Sequence, residues 1–202
     1  MIDPIQQKVI EVRRNQILDA ATTVFSTQGF HPTTIKDIAK EAGIADGTIY
    51  NYFQNKSALL IGIFERMKAS ILEQAPLPNA QELSLPMFIK ITLSHPLKAL
   101  KTDHFALFRV VVSEMMVNDE LRQLYYQHIL EPTLQIAETY LQEWSEQHQT
   151  PITNIPMIVR AISGMVMGLI IEAILGDKPL SVEWESLPDF LTHFLINGLG
   201  GK

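Results

Sequence analysis

The sequence predicts an all-α protein: an N-terminal three-helix helix-turn-helix domain, then a larger C-terminal helical domain. Three observations carry this. Apolar residues recur at three- and four-residue steps through most of the chain. A Thr-x-x-Asp cap and a glycine turn punctuate residues 34–43. No run of alternating apolar and polar residues competes as a strand.

The first helix is expected from about Val12 to Thr27. Ile17, Ala21, Val24 and Phe25 fall on one face, with Leu18 beside them. Gly29 follows as a helix-leaving residue, and His31-Pro32 forces extended backbone at His31. Thr34 starts the second helix, with Asp37 at capping-box spacing where a carboxylate also meets the positive helix end. Thr33 and Thr34 are both candidates for capping and for phosphate contact. Ile35, Ile38, Ala39 and Ala42 form the buried side. Gly43 ends the helix and Ile44 plugs the turn.

The third helix is expected over Ala45–Phe53. Ile49 and Phe53 are four apart and point inward. Gly47, Thr48, Tyr50, Asn51 and Tyr52 are left to face elsewhere. Two tyrosines flanking an asparagine are costly to leave in water without purpose. A tyrosine donates to phosphate or covers a thymine methyl, and an asparagine reads an adenine edge. Gly47 lets backbone approach backbone, and Lys56 places a point charge where a phosphate would lie. The pattern therefore predicts a helix that enters the DNA major groove. Asp46 is a cap or an acceptor for a cytosine amino group.

The segments ILDAATTVFSTQGF, TTIKDIAKEAGI and GTIYNYFQNKSALL, spanning about residues 10–62, resemble the TetR family of bacterial transcriptional regulators. G-T-I-Y-x-Y-F-x-x-K-x-x-L is distinctive in this order and spacing. The resemblance implies DNA contacts from the positions matching Lys36, Gly47, Thr48, Tyr50, Asn51, Tyr52 and Lys56. Ala45 departs from the pattern, standing where a Ser or Thr usually caps; Asp46 stands where Lys or Arg is frequent.

The chain has 202 residues, a net charge of −6 and no cysteine. Residues 1–56 hold six basic residues (Lys8, Arg13, Arg14, Lys36, Lys40, Lys56) and six acidic ones, so this part is neutral. Residues 57–202 carry the excess acid. A neutral head implies few non-specific phosphate contacts, so binding would rest on dimerisation and shape. The expected domains are 1–56 for DNA binding and 57–202 for ligand binding and dimerisation. No signal peptide is legible, and the longest apolar stretch, Ala161–Leu175, is interrupted by Glu172 and falls short of the ~20 residues that span a bilayer. A cytoplasmic protein with no membrane span is expected.

One long helix is expected from Lys56 to Glu73, and APLPNA (75–80) marks a boundary. Helices follow at Leu85–Leu93 (stopped near His95-Pro96), Phe105–Met116, Glu120–Leu130, Pro132–Gln149, Met157–Leu175 and Leu187–Leu199. Phe105, Phe108, Val112 and Met116 line one face, with Arg109 on the same stripe. These, with Met165 and Leu169, are candidates to line a cavity for a small apolar or amphipathic effector; the competing reading is ordinary core. A charge on an apolar stripe needs a partner or a ligand, and Glu114 or Glu172 is a candidate partner of Arg109. FRVVVSE and NDELRQLYYQ weakly resemble efflux-type regulators of the same family, which surround such cavities.

MIVRAISGMVMGLIIEAIL is apolar on nearly every side, with Gly164 and Gly168 four apart. Such a helix must be covered all round. Ile162, Val166 and Ile170, with Phe190 and Phe194 of the last helix, are candidates for a four-helix interface between two subunits. The six histidines form no ligand pair, and no nucleophile elbow, P-loop or dinucleotide fingerprint occurs. No metal, cofactor or catalytic residue is expected. The resulting expectation is a homodimeric, ligand-released repressor on a near-palindromic double-stranded DNA operator. A helical-body enzyme and a ligand-independent DNA-binding module are the competing readings.

Overall fold

A computed structural model describes residues 3–74, 83–99 and 104–198. Its helices are α1 (Pro4–Gln28), α2 (Ile35–Ala42), α3 (Asp46–Tyr50), α4 (Lys56–Gln74), α5 (Leu85–Ala99), α6 (His104–Met115), α7 (Asp119–Tyr125), α8 (Glu131–Gln147), α9 (Ile155–Leu175), α10 (Lys178–Val182) and α11 (Leu187–Asn197). Among the described residues there is no strand. The boundary expected at 75–80 lies outside them.

The contacts divide the chain discontinuously. One unit is Met1–Met67 with Ala106–Ile129; the other is Lys68–Phe105 with Leu130–Lys202. The division differs from a cut after residue 56, because α4 as far as Met67 and a later segment belong to the first unit.

In the first unit, α1 begins eight residues before Val12. Asp3 caps it by accepting from the Ile5 N–H at 3.2 Å, and Pro4 occupies the first turn. Residues 4–11 are all exposed, the apolar Ile5, Val9 and Ile10 among them, so no buried face marks where α1 begins. Ile17, Leu18 and Phe25 of α1 are fully buried with Ile38, Ile49, Leu59 and Leu60. Each such side chain contributes about 1.5–3 kcal/mol. Gln16 ties α1 to the end of α2 by donating to the Ala42 carbonyl at 2.7 Å. Arg14 pairs with Glu65 and Arg66 with Asp19, joining α1 to α4. Gly62 permits this approach: a Cβ there would lie 2.9 Å from Phe53 Cε1 and 3.2 Å from Leu18. Phe64 of α4 packs against Phe108 of α6 and Tyr125 of α7, with ring centroids 5.9 and 6.2 Å away.

Asn118 caps α7 by accepting from the Leu121 N–H. No loop separates α7 from α8. A π-helical turn, Tyr126–Leu130, joins them where two separate helices were expected. Pro132 explains it: a proline ring clashes with the carbonyl four residues back, here His128, and a widened turn relieves that clash.

In the second unit, α8 packs on α9 through Leu134, Leu141, Ile155 and Val159, with Phe88 of α5 in the same cluster. Tyr140 stacks on Phe88 at 4.6 Å between centroids. The Trp144 indole donates to the Leu83 carbonyl at 2.8 Å. α5 lies along α11. It runs on through His95-Pro96, where a stop was expected. Proline costs a helix interior about 3 kcal/mol. Leu93 and Leu97, each 1% exposed, flank that site, and their burial offsets a loss of this size. α10 was not foreseen as a separate element.

α9 starts at Ile155, earlier than the apolar stretch suggests, so its 21 residues and mean hydropathy of 2.0 make it long and apolar enough to cross a membrane. Val159, Val166 and Ile170 face inward. Met157, Ala161, Gly164, Ile171 and Leu175 are exposed, at alternating spacings of four, three, seven and four that keep one face. Arg160 pairs with Glu138 of α8.

Candidate nucleic-acid interface

The second helix begins with a complete capping box. The Asp37 N–H donates to Thr34 Oγ1 at 3.2 Å, and the Thr34 N–H donates to Asp37 Oδ2 at 2.9 Å. The Thr34 hydroxyl also donates to that carboxylate at 2.7 Å. The Thr34 hydroxyl and N–H hold the Asp37 carboxyl below its ordinary value. Gly43 closes α2 at φ 65° and ψ 34°, a left-handed position that favours glycine. Its N–H donates to the Lys40 carbonyl and that of Ile44 to the Ala39 carbonyl, which makes the turn tight.

α3 follows after three residues. Ala45 is its N-cap without a side-chain bond, and Asp46 Oδ1 accepts from the Gly47 N–H at 3.2 Å. The helix is shorter than expected, ending at Tyr50; Asn51 and Tyr52 form a turn and Phe53 returns to the core. Ile49 and Phe53 are buried, anchoring α3 from one side. On the other side Tyr50 is 58% exposed and Asn51 is exposed, while Thr48 and Tyr52 are half-buried. Gly47 is exposed, and a Cβ built there meets nothing within 4 Å. Among the described residues nothing requires a glycine at 47. Lys36 is exposed on α2. These groups offer ring, hydroxyl, amide and backbone to one incoming edge, which suits nucleobases and phosphates.

Two residues expected on DNA have other work. Thr33 is 2% exposed, and its hydroxyl donates to the Gly29 carbonyl at 2.6 Å. Its side chain closes the α1–α2 turn from within. Lys56 is not a free cation. Its ammonium donates to the carbonyls of Phe30 (2.6 Å), His31 (3.2 Å) and Thr33 (2.9 Å), and lies 4.4 Å from the Phe30 ring centroid. Burial pulls the Lys56 pKa down, and the charge of Glu114 pushes it back up. All three donors are spent on the fold.

The residues expected to line a cavity do not form one set. Phe108, Arg109, Val112 and Met116 belong to the first unit, and Met165 and Leu169, both half-buried, to the second. The Phe105 side chain lies outside the described residues. Phe108 is core against Phe64. Met116 is 77% exposed, just past α6, so it lines no cavity within the chain. Arg109 is also exposed, so its charge needs no buried partner. Glu114, one of its candidate partners, faces His31 instead. The helix period was right, but the buried stripe of α6 runs through Leu107, Phe108 and Val111. A groove of about 410 Å³ runs along α8, lined by Pro132, Gln135, Ile136, Thr139, Tyr140 and Glu143. None of the candidate lining residues borders it.

The interface candidates divide likewise. Val166 and Ile170 are buried within the second unit, because the inward face of α9 is the one they occupy. Ile162 is half-buried. Phe190 is exposed and stacks on the half-buried Phe194, with centroids 6.4 Å apart. Asn55 and Glu120, given no role from the sequence, and Glu114, expected beside Arg109, contact the turns around α2 and α3. A carboxylate ending the apolar run FRVVVSE was the one available signal.

Residues 17–63 match the family model described as bacterial regulatory proteins, tetR family. The fatty acid metabolism regulator protein of Bacillus subtilis is 30% identical over 191 residues, covering 93% of this chain and 95% of that protein. The HTH-type transcriptional repressor KstR2 of Rhodococcus jostii is 29% identical over 129 residues, covering 56% and 61%. The crystal structure of the transcriptional regulator FadR from Bacillus subtilis, in complex with stearoyl-CoA, superposes with a TM-score of 0.74 at 28% identity, covering 92% and 98%. The α2–α3 geometry and this near full-length relationship agree: the chain is a DNA-binding transcriptional regulator and belongs to the tetR family of bacterial regulatory proteins.

Proposed function

We propose that this chain is a homodimeric repressor that acts in the cytoplasm and is released from a near-palindromic operator by a long-chain acyl-CoA. The observation that carries the DNA half is α3: Ile49 and Phe53 anchor it while Gly47, Tyr50 and Asn51 stand free on the opposite edge. With Lys36 and Thr34 on α2, and the half-buried Thr48 and Tyr52, they form the contact set. Two such edges, one per subunit, read two half-sites one helical turn apart. The dimer reading rests on the exposed stripe of α9 and on Phe190 of α11. Gly164 and Gly168 have open space where a Cβ would stand among the described residues, room that a second subunit's helix could occupy.

The effector class is drawn from relatives. A fatty acid metabolism regulator aligns along nearly the whole chain, and a similar structure holds stearoyl-CoA. An acyl chain suits a body of apolar helices, with Phe105, Met165 and Leu169 of the second unit as candidate contacts. Effector and operator then oppose each other through a reciprocal coupling of ~1–3 kcal/mol.

The test is selection of bound sequences from a random DNA pool, followed by titration of stearoyl-CoA. A two-fold motif, displaced by stearoyl-CoA but not by free CoA, is the expected result. Tyr50→Ala should shift the selected sequence at a cost of ~1–3 kcal/mol. Failure to select any motif removes the DNA reading; selection without displacement removes the effector class alone.

A further inference from the structure

Two turns bracket the helix-turn-helix: residues 29–34 before α2 and 51–55 after α3. Each is held by one carboxylate from the segment 106–129. At the first turn, Glu114 of α6 is 5% exposed, and its Oε2 lies 3.2 Å from His31 Nε2. That oxygen has no aligned hydrogen bond, the one such buried side-chain atom among the described residues. A buried carboxylate needs polar and cationic neighbours. The His31 ring lies against it. Lys56 supplies the cation, feeling the charge of Glu114 while its ammonium gathers the carbonyls of Phe30, His31 and Thr33.

At the second turn, Glu120 of α7 accepts from Asn55 Nδ2 at 2.8 Å and from the Ser57 hydroxyl at 3.2 Å. Asn55 in turn caps α4, its Oδ1 accepting from the Ala58 N–H at 2.8 Å. The spacing between the two carboxylates is fixed locally: the Asn118 N–H donates to the Glu114 carbonyl at 2.8 Å, and the Asn118 side chain caps α7.

We propose that Glu114 and Glu120 form a two-point clamp that positions the recognition helix and carries the effector state to it, Glu114 through His31 and Lys56, Glu120 through Asn55 and Ser57. The proposal rests on the repressor reading above. The chain enters the clamp segment through α6 and leaves it through the π-helical turn, and both continue into the second unit. A shift imposed on either end moves both carboxylates against both turns. The buried Glu114 makes intermediate positions unfavourable, because drawing it away from Lys56 and His31 strands a desolvated carboxylate. Neither glutamate reaches DNA; both are positioning residues.

The experiment compares the full-length wild type with Glu114→Gln and Glu120→Gln, measuring affinity for the selected operator, its salt dependence, and affinity for stearoyl-CoA. Each variant should bind the operator about tenfold more weakly. Stearoyl-CoA should bind more tightly, since a shift away from the operator-binding conformation favours the effector-binding one. The slope against log salt should not change, because no phosphate contact is lost. Unchanged operator affinity in both variants overturns the clamp. So does a parallel loss of operator and stearoyl-CoA affinity, which marks plain destabilisation. Should Glu114→Gln fail to fold, the exposed partners decide: Glu120→Gln and His31→Gln must show the same opposed changes. A flattened salt slope in His31→Gln would make it a phosphate contact and remove the first point of the clamp. If stearoyl-CoA does not release the wild type, the effector class fails, and the clamp stands or falls on operator affinity at constant salt slope. If the wild type selects no DNA, function and clamp fall together at that step.

Discussion

At the scale of single residues, a polar group's role follows from where its hydrogen bonds go. Thr33 and Thr34 look alike in sequence, but one points into the α1–α2 turn and the other caps α2. Lys56 has the position of a phosphate ligand, but three nearby carbonyls take its donors. Replacing it with methionine keeps the stem over Phe30 and removes three charge-assisted bonds. Lys56→Met should therefore destabilise the head by about 1.5–3 kcal/mol, seen as a lower melting temperature, with the salt slope of operator binding unaltered. An unchanged melting temperature with a flatter slope would return Lys56 to the DNA. Asp37 gives a pH signature. Its folded pKa is depressed, so its contribution is fully present above the ordinary carboxylate value of 3.8 and is lost as pH falls through the folded value. Melting of wild type and Asp37→Asn should converge in that acidic range and diverge above it. Equal melting at neutral pH would show that the capping box contributes nothing.

Among elements, those with strong local signals were legible and those set by tertiary packing were not. Thr34, Asp37 and Gly43 bound α2 at the expected places, and Gly176 closes α9. Tertiary context overrode local rules elsewhere. Pro96 reads as a stop, yet α5 continues because Leu93 and Leu97 are buried on both sides of it. Pro132 reads as a start, yet its effect is a π-helical turn inside a longer helical run. The DNA-facing edge of α3 was legible because period and residue type agree there. The clamp residues were not, because contacts across more than 60 positions leave no mark in local spacing. The α5–α11 seam offers a measurable case. The Trp184 indole N–H, buried after α10, donates to the Leu97 carbonyl at 3.1 Å, in the last turn of α5, where carbonyls have no partner within the helix. Trp184→Phe keeps most of the ring and removes that donor, leaving a buried acceptor unpaired. The expected cost is about 1–3 kcal/mol in thermal or urea unfolding. A loss within a few tenths of zero would mean the carbonyl finds another partner.

For the whole molecule, charge and apolar surface point the same way. A neutral head with a net −6 on the rest draws little from a general phosphate field, so affinity has to come from joining two half-sites. The exposed apolar residues of α9 supply a means. Met157 is 59% and Leu175 81% exposed on a helix whose opposite face is already buried. The same 21 residues meet the length and hydropathy of a membrane span, but the stripe is interrupted by two glycines with open space before them, which favours a second helix at close range. Gly164→Glu separates subunit stability from assembly. Gly164 is exposed and a Cβ there meets no described atom within 4 Å, and replacing a helical glycine gains about 0.5–1 kcal/mol of helix propensity. Across a close-packed two-fold interface the same change sets two carboxylates against apolar neighbours. Sedimentation at micromolar concentration should find the wild type dimeric and Gly164→Glu monomeric. The variant's helix content should be undiminished, and its operator affinity should fall to that of a single half-site. A variant that stays dimeric would move the interface off this stripe, and a monomeric wild type would end the homodimer reading.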